Sequence, residues 1–221
     1  MSWALIMSQL FYIEKNFQVL CSLNMNFPVF PLNGAILFPN TNLPLNIFED
    51  RYIDMVDYAL SHSRLIGMIQ TKANKDLFKI GCLGRITNFT ETSDGMYQIN
   101  LEGINRFKIN KILDNKHKFI MIDGEELDFN NNFKRKTSDL SIKLLSNFKN
   151  YLNIKKIEFN TSEFENLDTQ NLAKIICVIS PLDYLTKQML LEFNGSDELC
   201  ENLISVLEIE INNFGKSSKI N

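Results

Sequence analysis

Residues Phe27 to Leu60, FPVFPLNGAILFPNTNLPLNIFEDRYIDMVDYAL, change periodicity midway with no linker between the halves. In the first half Val29, Phe30 and Leu32 sit among Pro28 and Pro31, and Ala35 to Phe38 form a short apolar run closed by Pro39. A proline has no amide donor, so strands here are short or lie at an edge. After Pro44 the spacing becomes helical: Phe48, Tyr52, Met55 and Ala59 fall on one stripe, with Asp50, Asp54, Asp57 and Ser61 opposite. Such a helix must lie on apolar material, and the nearest is the pair of extended runs just before it.

The next stretch reads as strands. Arg64 to Thr71 is a short apolar run typical of a buried strand, and Thr71 to Asp76 is a polar loop. Phe78 to Asn88, Met96 to Leu101, Phe107 to Leu113 and Lys118 to Leu127 follow in quick succession. Asp94-Gly95 is a hairpin signal, because glycine accepts the positive φ of a tight turn. Tyr97, Ile99 and Leu101 alternate with Gln98 and Asn100, which gives one inward and one wet face. Gly81, Gly84 and Gly103 are expected at bulges or corners. The expectation is an α+β chain: a small curved sheet or pseudo-barrel over residues 27–129, with one early helix, then a C-terminal helical bundle.

Residues 130–136 are expected to be the linker, since the asparagine run and Lys134-Arg135-Lys136 break both periodicities. Three adjacent cations are read as a solvated linker, being fewer than a phosphate-binding run needs. The helical subdomain is assigned to 137–213 and a frayed tail to 214–221. Leu140, Leu144, Leu145, Phe148, Tyr151 and Leu152 mark its first helix, which Ser138 would cap. The second, capped by Asp168 or Thr169, carries Leu172, Ile175, Ile176 and Ile179. The third starts at Asp183 and stops at Asn194-Gly195. The last, capped by Ser196 or Asp197, turns Leu199, Leu203, Val206, Leu207 and Ile211 inward.

Charge narrows the partners. The formal net charge is -3, with 12 Lys+Arg against 14 Asp+Glu in residues 1–129 and 11 against 12 in 130–221. Neither half is basic, which disfavours nucleic-acid binding through bulk electrostatics. Cys21, Cys82, Cys177 and Cys200 have no CxxC or zinc-site spacing and read as reduced thiols of a cytoplasmic protein. Residues 1–26 have no early basic residue, and Glu14-Lys15 interrupts the apolar run, so neither a signal peptide nor a membrane span is expected.

The runs PLNGAILFPNTNLPLNIFEDRYIDM, IGCLGRITNF and DGMYQINLEGINRFKI together resemble the Lon amino-terminal, substrate-binding domain family. The resemblance covers residues 27 to 210. It is nearest to small stand-alone bacterial members without ATPase and peptidase modules. Its most specific parts are PL-x-IFE-x-RY, from Pro44 through Glu49 and Arg51 to Tyr52, and G-x-x-RF, from Gly103 through Arg106 to Phe107. The family pattern starts near Met25, so residues 1–26 are set apart as the N-terminal extension of the β-rich subdomain, with Met25 as the expected start and the residues before it added. The resemblance implies a PUA-like sheet and a protein partner, either unfolded or degron-bearing polypeptide clients or a protease that the chain regulates. No cofactor and no metal is implied.

No catalytic constellation emerges from the residues. Gly215-Lys216-Ser217 has the ending of a P-loop, but Glu210 stands where its first glycine belongs. His62 and His117 are the only histidines, each in a polar context with no nucleophile elbow. Asp50, Asp54 and Asp57 are read as the wet face of a helix. Of the motif residues, Pro44, Tyr52, Gly103, Arg106 and Phe107 are read as structural, and Glu49 and Arg51 as ties from the helix to strand backbone, with the rim of a recognition groove as the alternative for that pair. Phe38, Leu43 and Phe48 are the peptide-binding candidates, on an apolar surface expected where barrel meets bundle. The leading reading is a non-enzymatic protein-recognition module acting as adaptor, holdase or protease regulator. The alternatives are a PUA-like RNA-binding protein and an enzyme with an unfamiliar site.

Overall fold

The computed structural model describes residues 25–127 and 137–217. The expectations for residues 1–24 with Cys21, for the linker with Lys134, Arg135 and Lys136, and for the end beyond Ser217 lie outside them. Six strands are separated by one helix: β1 (Met25–Pro31), β2 (Asn42–Ile47), α1 (Asp50–Ser61), β3 (Leu65–Ile69), β4 (Ile80–Glu91), β5 (Tyr97–Leu113) and β6 (Ile120–Leu127). The order is β2-β5-β4-β3-β1-β6, and β5 also pairs with β6, so five strands close into a ring. β1 and β3 are parallel, joined through β2 and α1, while the other pairs are antiparallel. β5 is the organiser. One of its edges carries β4; the other carries β2 along Tyr97 to Glu102 and β6 along Arg106 to Leu113.

The sequence expects two strands where β5 is one. Gly103 sits at the join, and a β-carbon there would lie 2.1 Å from the carbonyl oxygen of Phe38, so only glycine lets the incoming loop cross the strand. Register shifts at Leu83/Gly84 and Ile86/Asn88 bend the hairpin, as the glycine at 84 suggests. Its turn has Gly95 at φ 78°, and across it the Thr92 amide donates to the Met96 carbonyl oxygen while the Thr92 carbonyl oxygen accepts from the Gly95 amide.

The ring interior is small. Phe27, Val29, Ile69, Leu83, Phe107 and Ile122 fill it, with Phe27 and Phe107 edge to face at 5.0 Å. A β-carbon on Gly81 would stand 2.4 Å from the Met68 carbonyl oxygen and 2.6 Å from the Phe107 ring, so glycine makes room for the phenylalanine.

Two expectations along the first stretch are corrected. Ala35 to Phe38 is not a strand: the run lies between positive-φ residues Gly34 and Asn40 as a buried loop, and the Thr41 side chain locks it by accepting from the Phe38 amide and donating to its carbonyl. The helix does not begin near Phe48. Residues 42–47 form β2, and α1 starts at Asp50 with Glu49 as its N-cap residue. Its stripe is Tyr52, Met55, Val56 and Ala59, all buried.

The remainder is helical: α2 (Thr137–Lys155), a 3-10 turn (Ser162–Asn166), α3 (Thr169–Ile179), α4 (Tyr184–Glu192) and α5 (Ser196–Ser217). Asp168 caps α3 by accepting from the Asn171 amide, and Asp183 caps α4 by accepting from Leu185 and Thr186. Leu144, Phe148 and Tyr151 of α2 meet Leu199, Leu203 and Leu207 of α5 in a core that continues to Phe30, Met55 and Leu101 under the sheet. On α3 Leu172 and Ile176 are buried as expected, but Ile175 is half-buried and Ile179 exposed, whereas Ala173, Lys174 and Cys177 are buried. That helix is enclosed on two sides, so its apolar stripe does not identify a single inward face.

Candidate functional site

The motif residues separate into a sealed junction and an open blade. At the junction, Arg106 leaves β5 fully buried and reaches the end of α4. Its Nη1 donates to the carbonyl oxygens of Leu191 (3.2 Å), Glu192 (3.3 Å) and Phe193 (2.7 Å), and its Nη2 to Asn194 Oδ1 (3.1 Å). The last carbonyls of a helix have no partner within it and carry partial negative charge, so a guanidinium suits them. Gln188 joins the same seam, donating to the Ile80 carbonyl oxygen at 2.9 Å. Lys187 donates to Val178 oxygen at 2.7 Å, and burial lowers the pKa of both Lys187 and Lys174. Polar side chains thus line this part of the junction, beside the apolar core that sheet and bundle share. The signal was available only as buried cations on otherwise apolar helix faces.

The blade is the part of β4, β5 and β2 that projects from the ring. Leu43, Leu45 and Ile47 of β2 oppose Leu101, Ile99 and Tyr97 of β5. They lie half-buried or buried over the α1 side of the core, with Asn42, Pro44 and Asn46 exposed on the opposite face. Continuing the register one step from Ile47 and Tyr97 sets Phe48 across from Met96, and these side chains are 66% and 38% exposed. On the other side of the tip Phe89 packs edge to face on Tyr97 at 4.8 Å and is also exposed. Burial and a hydrogen bond to Asp57 raise the Tyr97 pKa, tying the blade to α1.

The three peptide-binding candidates therefore have different surroundings. Phe38 is 1% exposed and enclosed by its loop, Leu43 is half-buried at the strand edge, and Phe48 presents its ring to solvent. Glu49 and Arg51 do not reach strand backbone. Arg51 bonds Glu49 at 2.8 Å in solvent and lies over the Tyr52 ring at 4.5 Å, so the pair borders Phe48. Pro44 is in mid-strand, and Phe107 is inside the ring.

The other candidates do not assemble into a reaction centre. His62 and His117 lie on either side of Tyr58, at ring distances of 4.1 and 5.1 Å. His62 Nδ1 is already 2.8 Å from the Tyr58 carbonyl oxygen. Asp50, Asp54 and Asp57 are exposed, and Asp54 pairs with Lys118 at 3.6 Å. Among the described residues no three His, Cys, Asp or Glu side chains gather as a metal site requires. Cys82, Cys177 and Cys200 are buried free thiols whose pKa values burial pushes up, away from thiolate reactivity. A further groove of about 540 Å³ runs along α2 between Ile142, Leu145, Phe164 and Leu172. Among the described residues no helix is long and apolar enough to cross a membrane.

A closed strand ring with a projecting blade and an appended helical bundle defines an α+β module of the Lon amino-terminal type. Residues 26–208 match the family described as the ATP-dependent protease La (LON) substrate-binding domain, and the chain belongs to that family. It is 28% identical over 197 residues to the Lon protease of Escherichia coli K12 and 27% identical over 198 residues to that of Buchnera aphidicola from Acyrthosiphon pisum. Each match covers 85% of this chain and 25% of the relative. The chain thus spans about a quarter of the length of these curated relatives. Among solved structures it is similar to a Lon N-terminal domain protein from Xanthomonas campestris, with TM-score 0.64 and 18% identity over 82% of this chain and 98% of that one. It is also similar to the N-terminal domain of a Mycobacterium avium complex Lon protease, with TM-score 0.63 and 17% identity over 83% and 98%.

Proposed function

We propose that the chain recognises polypeptides, binding exposed apolar stretches of unfolded or degron-bearing proteins in the cytoplasm and acting as an adaptor, holdase or protease regulator without chemistry of its own. The observation that carries this reading is the apolar tip of the blade, where Phe48, Met96 and Phe89 stay exposed beside well-buried neighbours. Exposed Phe48 and Met96 on one face of the tip, with Phe89 on the other, are the kind of apolar surface that a chain segment would cover. Membership of a family defined by substrate binding supports the same reading. The test is fluorescence anisotropy with a labelled, permanently unfolded protein and its native counterpart. The expected result is binding of the unfolded form only, weakened about tenfold by Phe48→Asp. Equal binding of both forms, or tight salt-sensitive binding of RNA instead, would overturn it.

A further inference from the structure

Among the described residues β2 is hydrogen-bonded to β5 alone, which leaves one long side of the blade without a neighbouring strand. The phase of the ladder identifies the groups along that side. Gly103 N donates to Thr41 O, and the Asn100 carbonyl oxygen accepts from Thr87 Oγ1 on the β4 side. Hence the backbone groups of Leu43, Leu45 and Ile47 point towards β5, and those of Asn42, Pro44 and Asn46 point away from it. Pro44 has no amide hydrogen to lose, so the outward row consists of two donors, from Asn42 and Asn46, and three acceptors. Alternate residues in a strand are spaced about 6.8 Å apart. Another extended main chain is the ligand whose donors and acceptors repeat at that spacing.

We propose that β2 accepts an extended segment of a polypeptide client as an added strand, with the blade tip gripping its end. The inference rests on the polypeptide-recognition reading above and specifies how recognition occurs. Side chains of an added strand alternate between the two faces. One set would lie beside half-buried Leu43 and Leu45 and complete their burial, and the other would run along exposed Asn42 and Asn46 towards Phe48 and Met96. The edge therefore selects segments with apolar residues at every second position, whatever their detailed sequence. Pro44 interrupts the donor row at its centre, which disfavours pairing of β2 with a second copy of itself.

The experiment compares three labelled peptides, each as long as β2 and alternating valine with threonine: one unmodified, and two with N-methyl groups on either the odd or the even amides. Strand addition reads alternate amides, so one methylated phase should bind about tenfold more weakly and the other like the parent. Asn42→Pro with Asn46→Pro, which removes both outward donors and no ladder bond, should weaken the unmodified peptide comparably. Equal affinity for all three peptides, or equal loss in both phases, would overturn strand addition while leaving polypeptide recognition standing. Failure of the unmodified peptide and of unfolded protein alike would overturn both. Concentration-dependent dimerisation abolished by the two prolines would assign the edge to a second copy of this chain instead.

Discussion

Along Arg106 to Lys108, β5 is bonded on both edges, to β4 and β6, with Phe107 packed in a closed ring, and from Ile109 to Leu113 it continues along β6. Along Tyr97 to Glu102 the same strand is bonded to β4 and to β2, and β2 has no further partner among the described residues. One half is enclosed, with Arg106 joining it to the end of α4; the other ends in exposed Phe48, Met96 and Phe89. Gly103 marks the change between them. A closed sheet has no edge to offer, so a small module that must both hold together and receive other chains can separate the two tasks along one strand.

If the halves differ in this way, substitutions should cost stability in the closed half and binding in the open half. The largest effect is expected for Phe107→Ala, which empties the ring centre and should cost about 4 kcal/mol in denaturant unfolding; a cost no greater than that of Phe48→Ala would break the comparison. Arg106→Ala strands three helix-end carbonyl oxygens without their donor and should cost about 3 kcal/mol, with faster amide exchange in α4 than in β2. Asp183→Ala, in the bundle, should cost about 1 kcal/mol through the lost cap.

Asp183 also sets a pH dependence. Its hydrogen bonds from Thr186, followed by those from backbone, hold the folded pKa below the ordinary carboxylate value. The folded state therefore binds that proton less readily than the unfolded state. The contribution is fully present above about pH 4 and is lost as pH falls through the depressed value. Acid unfolding curves of Asp183→Asn should lack this component while keeping the cap. The smallest stability effect is expected for Phe48→Asp, within about 0.5 kcal/mol of the parent by thermal unfolding, even though client binding falls.

The sheet-then-bundle architecture was legible because strand alternation, turn glycines and capping residues are local signals. Asp94-Gly95 marked the hairpin, and Asp168 and Asp183 marked two helix starts. β2 was hidden although Leu43, Leu45 and Ile47 alternate with Asn42, Pro44 and Asn46, because Pro44 and the helical spacing that begins soon after obscured a six-residue pattern. Phe48 was named as a candidate but placed on the buried stripe, since its spacing to Tyr52 fits a helix that begins only at Asp50. The ring needs β1 paired with β6, residues 91 to 99 apart in sequence, and Arg106 reaches α4 across 85, which no local pattern encodes.

The most direct measurement is a backbone amide NMR titration of the full chain with an unfolded polypeptide. The expected perturbations fall on Asn42 to Phe48 and on Phe89 to Tyr97, while Arg106 to Leu113 and β6 stay unchanged. Shifts centred on the α2 groove around Ile142 and Phe164, with the blade silent, would contradict the assignment of recognition to the open half of the sheet.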